Sequence, residues 1–498
     1  MKIDQNHLVA SLDRPIPFYC DGELTASDEV IDIIDPGNEN IFARVSAAGR
    51  EDFERALAAA RDAADRRIWA GKSREERAAT VTRMIDLLAE HETVLRDTLV
   101  REVGCPRNAL AMGVQVSAPI NGPREFVEMF RHIPEEEDGG LPIASRITPA
   151  GGVVQSIRRY EPVGVVAAIS AYNFPLFLSM WKVVPALLAG NSVILRPSPL
   201  APITALMISQ AADAAGIPRG VFHVLPETGD AGAILLTTDP RVDMVGFTGS
   251  TQVGKLVMAQ AAGTMKRLQL ELGGKSAQIY LEDRAHLAAG AAAAVCLSLA
   301  GQGCALATRV LVPESRKAQV LEEIRELFRN IRIGDPSDPN TQMGPVISAA
   351  QRDRCAKFVA LAVEKGGKIV TGGKRPDHLD RGYFFEPTVI DIADNSNPVA
   401  QNEIFGPVIT VMGYSTPEEA VAVANDSEFG LSAHVAGGDV RLAMDMARRI
   451  KAGTVNVNGS VMSGHVSFGG WGASGLGRER GIEGLRVYQN LQVVNFSA

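Results

Sequence analysis

Between residues 161 and 271 the chain alternates short, almost wholly apolar runs with longer stretches of helical periodicity. Residues 163–169, 192–195, 221–225, 242–247 and 267–271 read as strands, and 177–188, 204–215, 231–236 and 251–262 as helices. Apolar strands separated by helices predict a parallel sheet covered on both faces. Such sheets bind ligands beyond the carboxyl ends of their strands. A second α/β unit follows from about 276 to 470. Upstream, 21–48 reads as short strands, with Asp35-Pro36-Gly37-Asn38 a turn. Residues 51–66 form a helix. Ser73 with Glu76 makes a capping-box pattern before an amphipathic stretch ending near Gly104. The polar, Gly- and Pro-containing segment 134–152, followed by apolar 153–159, reads as a protruding hairpin or linker that interrupts one domain. The tail 485–496 alternates like an edge strand.

Composition changes this picture only by exclusion. The 498 residues are 46% hydrophobic and 22% charged, ordinary for a globular chain of two or three domains. Net charge is −8, which gives no footing for a nucleic-acid or anionic-membrane binder. No basic-then-apolar leader opens the sequence. The longest uncharged apolar run, 287–300, is Ala-rich and too short for a membrane span, so a buried helix is expected. Five widely spaced cysteines (Cys20, Cys105, Cys296, Cys304 and Cys355) point to reduced thiols and a cytoplasmic setting. Without HExxH or CxxC, no metal site is expected.

Five constellations could carry chemistry. Gly246-Phe247-Thr248-Gly249-Ser250-Thr251-Gln252-Val253-Gly254-Lys255 ends a strand and opens a helix, where free N–H groups can meet phosphate. It also fits an ordinary strand–helix turn. Leu256 follows Lys255 where a nucleotide-hydrolysing P-loop needs Ser or Thr. Gly301-Gln302-Gly303-Cys304 leaves a thiol approachable from a loop, or else buries a small core residue. Leu270-Glu271-Leu272-Gly273-Gly274 sets a carboxylate at a strand's carboxyl end, as a base or as a surface glutamate; Gln269 shares its face. Asn173, after the first strand, is a carboxamide donor or a turn residue ahead of Pro175. Asn402-Glu403-Ile404-Phe405-Gly406-Pro407 couples an acid to an aromatic ring, or forms a turn with a packed Phe. Together they supply a nucleophile, an oxyanion donor, a base and a phosphate crevice.

With these stretches in order, the sequence resembles the aldehyde dehydrogenase superfamily over nearly its whole length. Further matching stretches are Glu161-Pro162-Val163-Gly164, Asn173-Phe174-Pro175, Pro185-Ala186-Leu187-Leu188-Ala189-Gly190-Asn191, Met343-Gly344-Pro345 and Ser474-Gly475-Leu476-Gly477-Arg478-Glu479. The resemblance implies an α/β, aldehyde-dehydrogenase-like fold. It has a Rossmann-type parallel-sheet cofactor domain (1–141 and 160–270), a second α/β catalytic domain (271–470) and a small β oligomerisation element (142–159 and 480–498). It implies NAD(P)+-dependent oxidation of an aldehyde to the acid. Cys304 would attack to form a thiohemiacetal and, after hydride transfer to the nicotinamide, a thioester. Asn173 and the Cys304 N–H would hold the oxyanion, Glu271 would activate the hydrolytic water, and Lys182 would join a proton relay. Ser170, Ala171, Tyr172, Arg196, Ser198, Pro199, Gly229, Phe247, Gly249, Ser250, Val253, Leu272, Glu403 and Phe405 would contact the cofactor. Homodimers or homotetramers are implied, with the two exposed edges pairing across subunits.

Departures from the family pattern bear on specificity. Ala171-Tyr172 replaces Pro-Trp, and Arg196 replaces Lys. Pro199 stands where NAD-preferring members often carry a glutamate on the ribose 2′-OH; without that carboxylate a 2′-phosphate meets less repulsion and Arg196 could pair with it, so NADP is permitted and NAD is favoured only slightly. The expected substrate walls are Phe174, Leu178, Trp181, Met462 and Phe468, with no arginine among them. That set predicts a medium-sized hydrophobic or aromatic aldehyde and disfavours dicarboxylic semialdehydes. The rival readings are a CoA-acylating relative, against which Glu271 argues, a non-catalytic structural member, and a P-loop NTPase.

Overall fold

The computed structural model describes residues 14–459 and 463–497. Its first sheet has the predicted parallel core. The strands Phe222–Val224, Ser192–Arg196, Val165–Ile169, Met244–Thr248 and Arg267–Glu271 lie side by side in that order, all parallel. The first of them in sequence is therefore central, and the winding reverses between Val165–Ile169 and Met244–Thr248. A crevice opens at such a switch point because the connecting helices leave on opposite faces. Both inner strands are buried at every position, which is why they read as unbroken apolar runs. The hairpin Phe18–Cys20 and Glu23–Thr25 extends one edge. At the other, Gly475–Leu476 returns from the C-terminal region to pair antiparallel with Arg267–Glu271.

The helices follow their sequence signals. Ser73 and Glu76 form the capping box of Arg74–Glu90, the Ser73 N–H donating to the Glu76 carboxylate at 2.8 Å. The amphipathic stretch breaks at His91, and a second helix, Glu92–Glu102, carries it to Gly104. Ile203–Ala215 ends on Gly216 in the left-handed region (φ 93°), a conformation glycine adopts without a Cβ clash.

The second α/β unit is a seven-stranded sheet in the order Lys368–Thr371, Thr388–Asp391, Val408–Tyr414, Arg309–Pro313, Ala277–Tyr280, Ser432–Ala436 and Thr454–Val457. Only the first pair is antiparallel. Separate apolar cores cover its two faces. The run 287–300 is largely the buried helix Ala288–Leu297, ending in a tight turn at Leu299–Gly301.

A third, three-stranded sheet has Val154–Pro162 at its centre, flanked by Glu136–Asp138 and Gln489–Ser497. The pairing thus begins at Glu136, within the expected 134–159 segment but ahead of the 142–159 bounds of the oligomerisation element. The tail strand begins at Gln489, after the short helix Gly481–Arg486. The two segments pair with each other within the chain, leaving the outer edge of Gln489–Ser497 lined by exposed Leu491, Val493 and Phe496. Among the described residues no helix is long and apolar enough to cross a membrane.

Candidate active site

Cys304 reaches the crevice on a strained turn. Leu299, Ala300 and Gly301 all have positive φ (49°, 51° and 72°), and a Cβ at Gly301 would lie 2.2 Å from the Gly406 carbonyl oxygen. Non-glycine residues in that region store energy of order 1–3 kcal/mol each, which neighbouring structure must overcome. Here the Gln302 side chain does so. Its amide oxygen accepts from Tyr172 Oη (3.2 Å) and the Ile347 N–H (3.0 Å), and its Nε2 donates to the Leu299 carbonyl (2.9 Å). Asn173 Nδ2 donates to the Gln302 carbonyl at 2.9 Å, and Gln115 Nε2 fixes the Asn173 carbonyl at 2.7 Å. The carboxamide is thereby held beside the cysteine loop, as the oxyanion role requires. Cys304 is partly exposed, whereas Cys20, Cys105, Cys296 and Cys355 are all buried free thiols.

Glu271 ends the edge strand of the parallel set and is 1% exposed. Neither carboxylate oxygen has a hydrogen-bond partner of standard geometry. Burial, reinforced by the negative charge of Glu479, pushes its pKa up to about 8; Lys182 and a hydrogen bond with the Cys304 thiol pull the other way. The Cys304 thiol is itself held well above its ordinary value, by burial first and then by the charges of Glu271, Glu403 and Glu479. Before any ligand arrives, thiol and carboxyl are both protonated at neutral pH. A buried carboxyl of this kind is a base in waiting.

Lys182, fully buried on the helix Pro175–Leu188, donates to Thr248 Oγ1 at 2.6 Å and to Glu479 at 2.5 Å. Gln269 Nε2 adds a second hydrogen bond to Glu479 at 3.3 Å. Glu479 is thus a site residue that reading the sequence passed over, although its stretch Ser474–Glu479 was among the matching motifs. It couples the expected relay lysine electrostatically to Glu271.

On the opposite side Glu403, Arg196 and Glu227 are satisfied, while Lys275 Nζ is buried without a partner. Glu403 accepts from the Gly274 N–H at 3.0 Å, and a Cβ on Gly273 would meet its carboxylate at 2.3 Å. Phe405, at φ 64°, lies edge-on to Tyr172 with ring centroids 6.0 Å apart. Its carbonyl accepts from Gln351 Nε2 (2.7 Å). Arg196 donates to the buried Glu227 (2.9 Å) and to the Gly229 carbonyl (2.7 Å). Glu227 also accepts from the Gly232 and Ala233 N–H groups. Glu227 is the second residue the sequence did not reveal. Ser170 Oγ is bonded to Ser179 Oγ (3.0 Å), Ala171 is half-buried beside it, and Ser198 Oγ accepts from the Leu200 N–H ahead of half-buried Pro199.

The segment Phe247–Lys255 is a strand end followed by the helix Thr251–Ala261, whose N-cap Ser250 Oγ accepts from the Val253 N–H (3.3 Å). The first N–H groups of that helix have no intrahelical acceptor and face the carboxyl ends of the strands. Gly249 is obliged by Phe247, whose ring would sit 2.4 Å from a Cβ. Gly254, the glycine of the P-loop lookalike, makes room for Leu272, 2.5 Å from where a Cβ would stand. The helix packs against Ala231–Thr238, and Ile234, Val253 and Leu256 stay exposed there. An apolar slot beside a helix N-terminus fits a purine next to a phosphate, so the residues present suit a dinucleotide.

Among the expected substrate walls, Leu178 and Trp181 are buried and Phe174 and Phe468 half-buried; Met462 lies outside the described residues. One expectation is corrected. An arginine does stand among these walls: Arg480 lies 5.7 Å over the Trp181 ring and 4.9 Å over the Phe468 ring. It escaped notice because it follows the last matching motif directly, and only the fold carries it back to Trp181.

Comparison with known proteins agrees with this geometry. Residues 24–494 match the aldehyde dehydrogenase family. A putative aldehyde dehydrogenase of Staphylococcus epidermidis is 32% identical over 483 residues, covering 96% of this chain and 98% of its own. The structure of betaine aldehyde dehydrogenase from Staphylococcus aureus in complex with NAD+ superposes with a TM-score of 0.92 at 33% identity, covering 98% of this chain and 95% of that one. Aldehyde dehydrogenase C of Pseudomonas syringae, a cysteine-to-alanine mutant complexed with NAD+ and octanal, gives 0.89 at 33% identity, with 97% of each chain covered. With its fold, motif order and relatives in agreement, the chain belongs to the aldehyde dehydrogenase family.

Proposed function

We propose that the protein oxidises an aldehyde with an apolar or aromatic body to its carboxylic acid, with NAD+ as cofactor. The observation that carries this is Glu271, buried without a standard hydrogen-bond partner beside the one partly exposed cysteine. When bound, NAD+ supplies the hydride acceptor; NAD+-complexed relatives and the apolar slot beside the Thr251–Ala261 helix support that choice. Side chains do the rest. Cys304 Sγ attacks the aldehyde carbon as Glu271, in the fraction of molecules where it is ionised, takes the thiol proton. Asn173 Nδ2 and the Cys304 N–H hold the oxyanion, contacts worth ~3–4 kcal/mol for one donor. Once hydride has left the carbon, the acyl group remains on Cys304 as a thioester. Glu271, relieved of its proton through Glu479 and Lys182, activates the water that cleaves it.

Preference for NAD+ over NADP+ follows from Arg196. Its guanidinium is engaged by Glu227 and Gly229, and a 2′-phosphate would have to displace a buried carboxylate to reach it. Residues before 271 would form the cofactor domain, and 271–470 the catalytic one. The open edge of Gln489–Ser497 would pair with a second subunit, giving a dimer or tetramer working in the cytoplasm.

The test is growth of the reduced-nicotinamide absorbance with benzaldehyde or aliphatic aldehydes, NAD+ and NADP+ run separately, and Cys304→Ser as control. Turnover with NAD+ that is lost in the variant is expected. Absence of turnover with every aldehyde in both cofactors overturns the proposal.

A further inference from the structure

A buried cation normally has its hydrogen bonds met, because stripping water from it costs several kcal/mol. Arg309 obeys this rule: 2% exposed, it donates to the Lys275, Val423 and Ala424 carbonyls and to Asn395. Arg480 does not. It is 7% exposed, and its side chain makes no hydrogen bond or ion pair with any described residue. Its guanidinium meets only the faces of Trp181 and Phe468, contacts that hold a cation without using its N–H groups. Its backbone sits at φ 59°, a region costly for a side chain of this size.

Nearby acids do not serve as its partner. Glu479 is taken by Lys182 and Gln269. Glu271 and Cys304 exert an electrostatic pull on Arg480, as Glu479 does, but neither is ion-paired to it. A second donor in the same wall is also unmet: Trp181 Nε1 is buried without an acceptor. A planar, always-charged fork clamped between aromatic faces, near enough to Cys304 and Glu271 to feel their charge, matches a carboxylate geometrically and electrically.

We infer that Arg480 is a specificity residue that binds a carboxylate on the substrate, so that the preferred aldehydes carry an anionic group on an apolar or aromatic body. The inference rests on the aldehyde oxidation proposed above and narrows its substrate class to aldehyde acids. Arg480 forms no bond with the reacting atoms; it fixes the far end of the molecule while Cys304 and Asn173 engage the carbonyl.

The experiment compares kcat/KM for 4-carboxybenzaldehyde and 4-methylbenzaldehyde, which differ in charge at one position. Wild type is expected to favour the carboxylated compound. In Arg480→Met the ratio of the two falls by about 10- to 100-fold, mainly through KM, as expected for a charge-assisted pair. Arg480→Lys restores part of it. A wild-type preference for the methyl compound, or a ratio unchanged in Arg480→Met, overturns the inference while leaving aldehyde oxidation intact. Equal losses on both substrates with a displaced pH profile would likewise overturn it, assigning Arg480 to the field around Cys304. If neither compound is oxidised, the catalytic reading fails on its own account. Equilibrium binding of 4-carboxybenzaldehyde to Cys304→Ser, with and without Arg480→Met, then decides the inference separately: binding that depends on Arg480 sustains it, and binding that does not overturns it.

Discussion

The two walls of the crevice are built on opposite principles. On the cofactor side, Glu403, Arg196 and Glu227 each have hydrogen-bond partners within the protein. On the substrate side, Glu271 and Trp181 Nε1 are buried and unmet, and the Arg480 guanidinium has aromatic faces in place of acceptors. A satisfied wall is a rigid template that a ligand only has to fit. An unsatisfied wall carries a standing desolvation cost that is recovered when substrate or reaction supplies the missing partner. The contrast says where stability has been given up: at the groups that change bonding during turnover.

That contrast can be broken most severely at Glu271. Glu271→Gln keeps shape and removes the base, and kcat should fall by roughly 10²–10⁴-fold. In the native enzyme a carboxyl pushed up to about 8 cannot accept a proton below that pH. Turnover should therefore climb from pH 6 to 9 with an apparent pKa near 8, and a flat profile would remove Glu271 from the rate-limiting step.

The cofactor wall should respond more mildly. Glu227→Gln releases Arg196 from its ion pair without emptying the space. The NADP+ to NAD+ ratio of kcat/KM should then rise by about tenfold. No change in that ratio would mean the pair plays no part in cofactor choice.

The smallest effect is on stability. The folded Glu271 carboxyl holds its proton up to about 8, against 4.5 for an ordinary glutamate. Stability from that group is complete at low pH and is lost as pH rises between those values. Glu271→Gln escapes the loss, so at pH 9 its Tm should exceed that of the native protein by on the order of 1–3 °C, and should not at pH 5. Calorimetry at the two pH values checks the sign.

Much of this was legible in the sequence, for a physical reason. Strands such as Val165–Ile169 are buried on both faces, so their sequence can be read without knowing their neighbours. Cys304 and Asn173 sit in loops, and Glu271 at a strand end just ahead of one, whose glycines and prolines leave local marks. What could not be read were pairings between distant segments. Lys182 and Glu479 are 297 positions apart, and Arg196 meets Glu227 across a helix and a strand. Arg480 was invisible as a wall residue because its ring partners come from two other segments. The Gly254-Lys255 pair, already set aside as a P-loop because Leu256 follows it, has a glycine that answers to Leu272 packing, a contact that a motif does not encode.

The return of Gly475–Leu476 to the edge of the first sheet, with Glu479 closing on Lys182, has a consequence for the order of events on the ribosome. The five parallel strands are all synthesised by residue 271, and Cys304 follows soon after. The nascent chain nevertheless has no relay to its base until some two hundred further residues have emerged. On the mechanism proposed above, a polypeptide stalled or clipped before Glu479 would carry Cys304 without the residues that discharge it, and completion of the chain would license the chemistry.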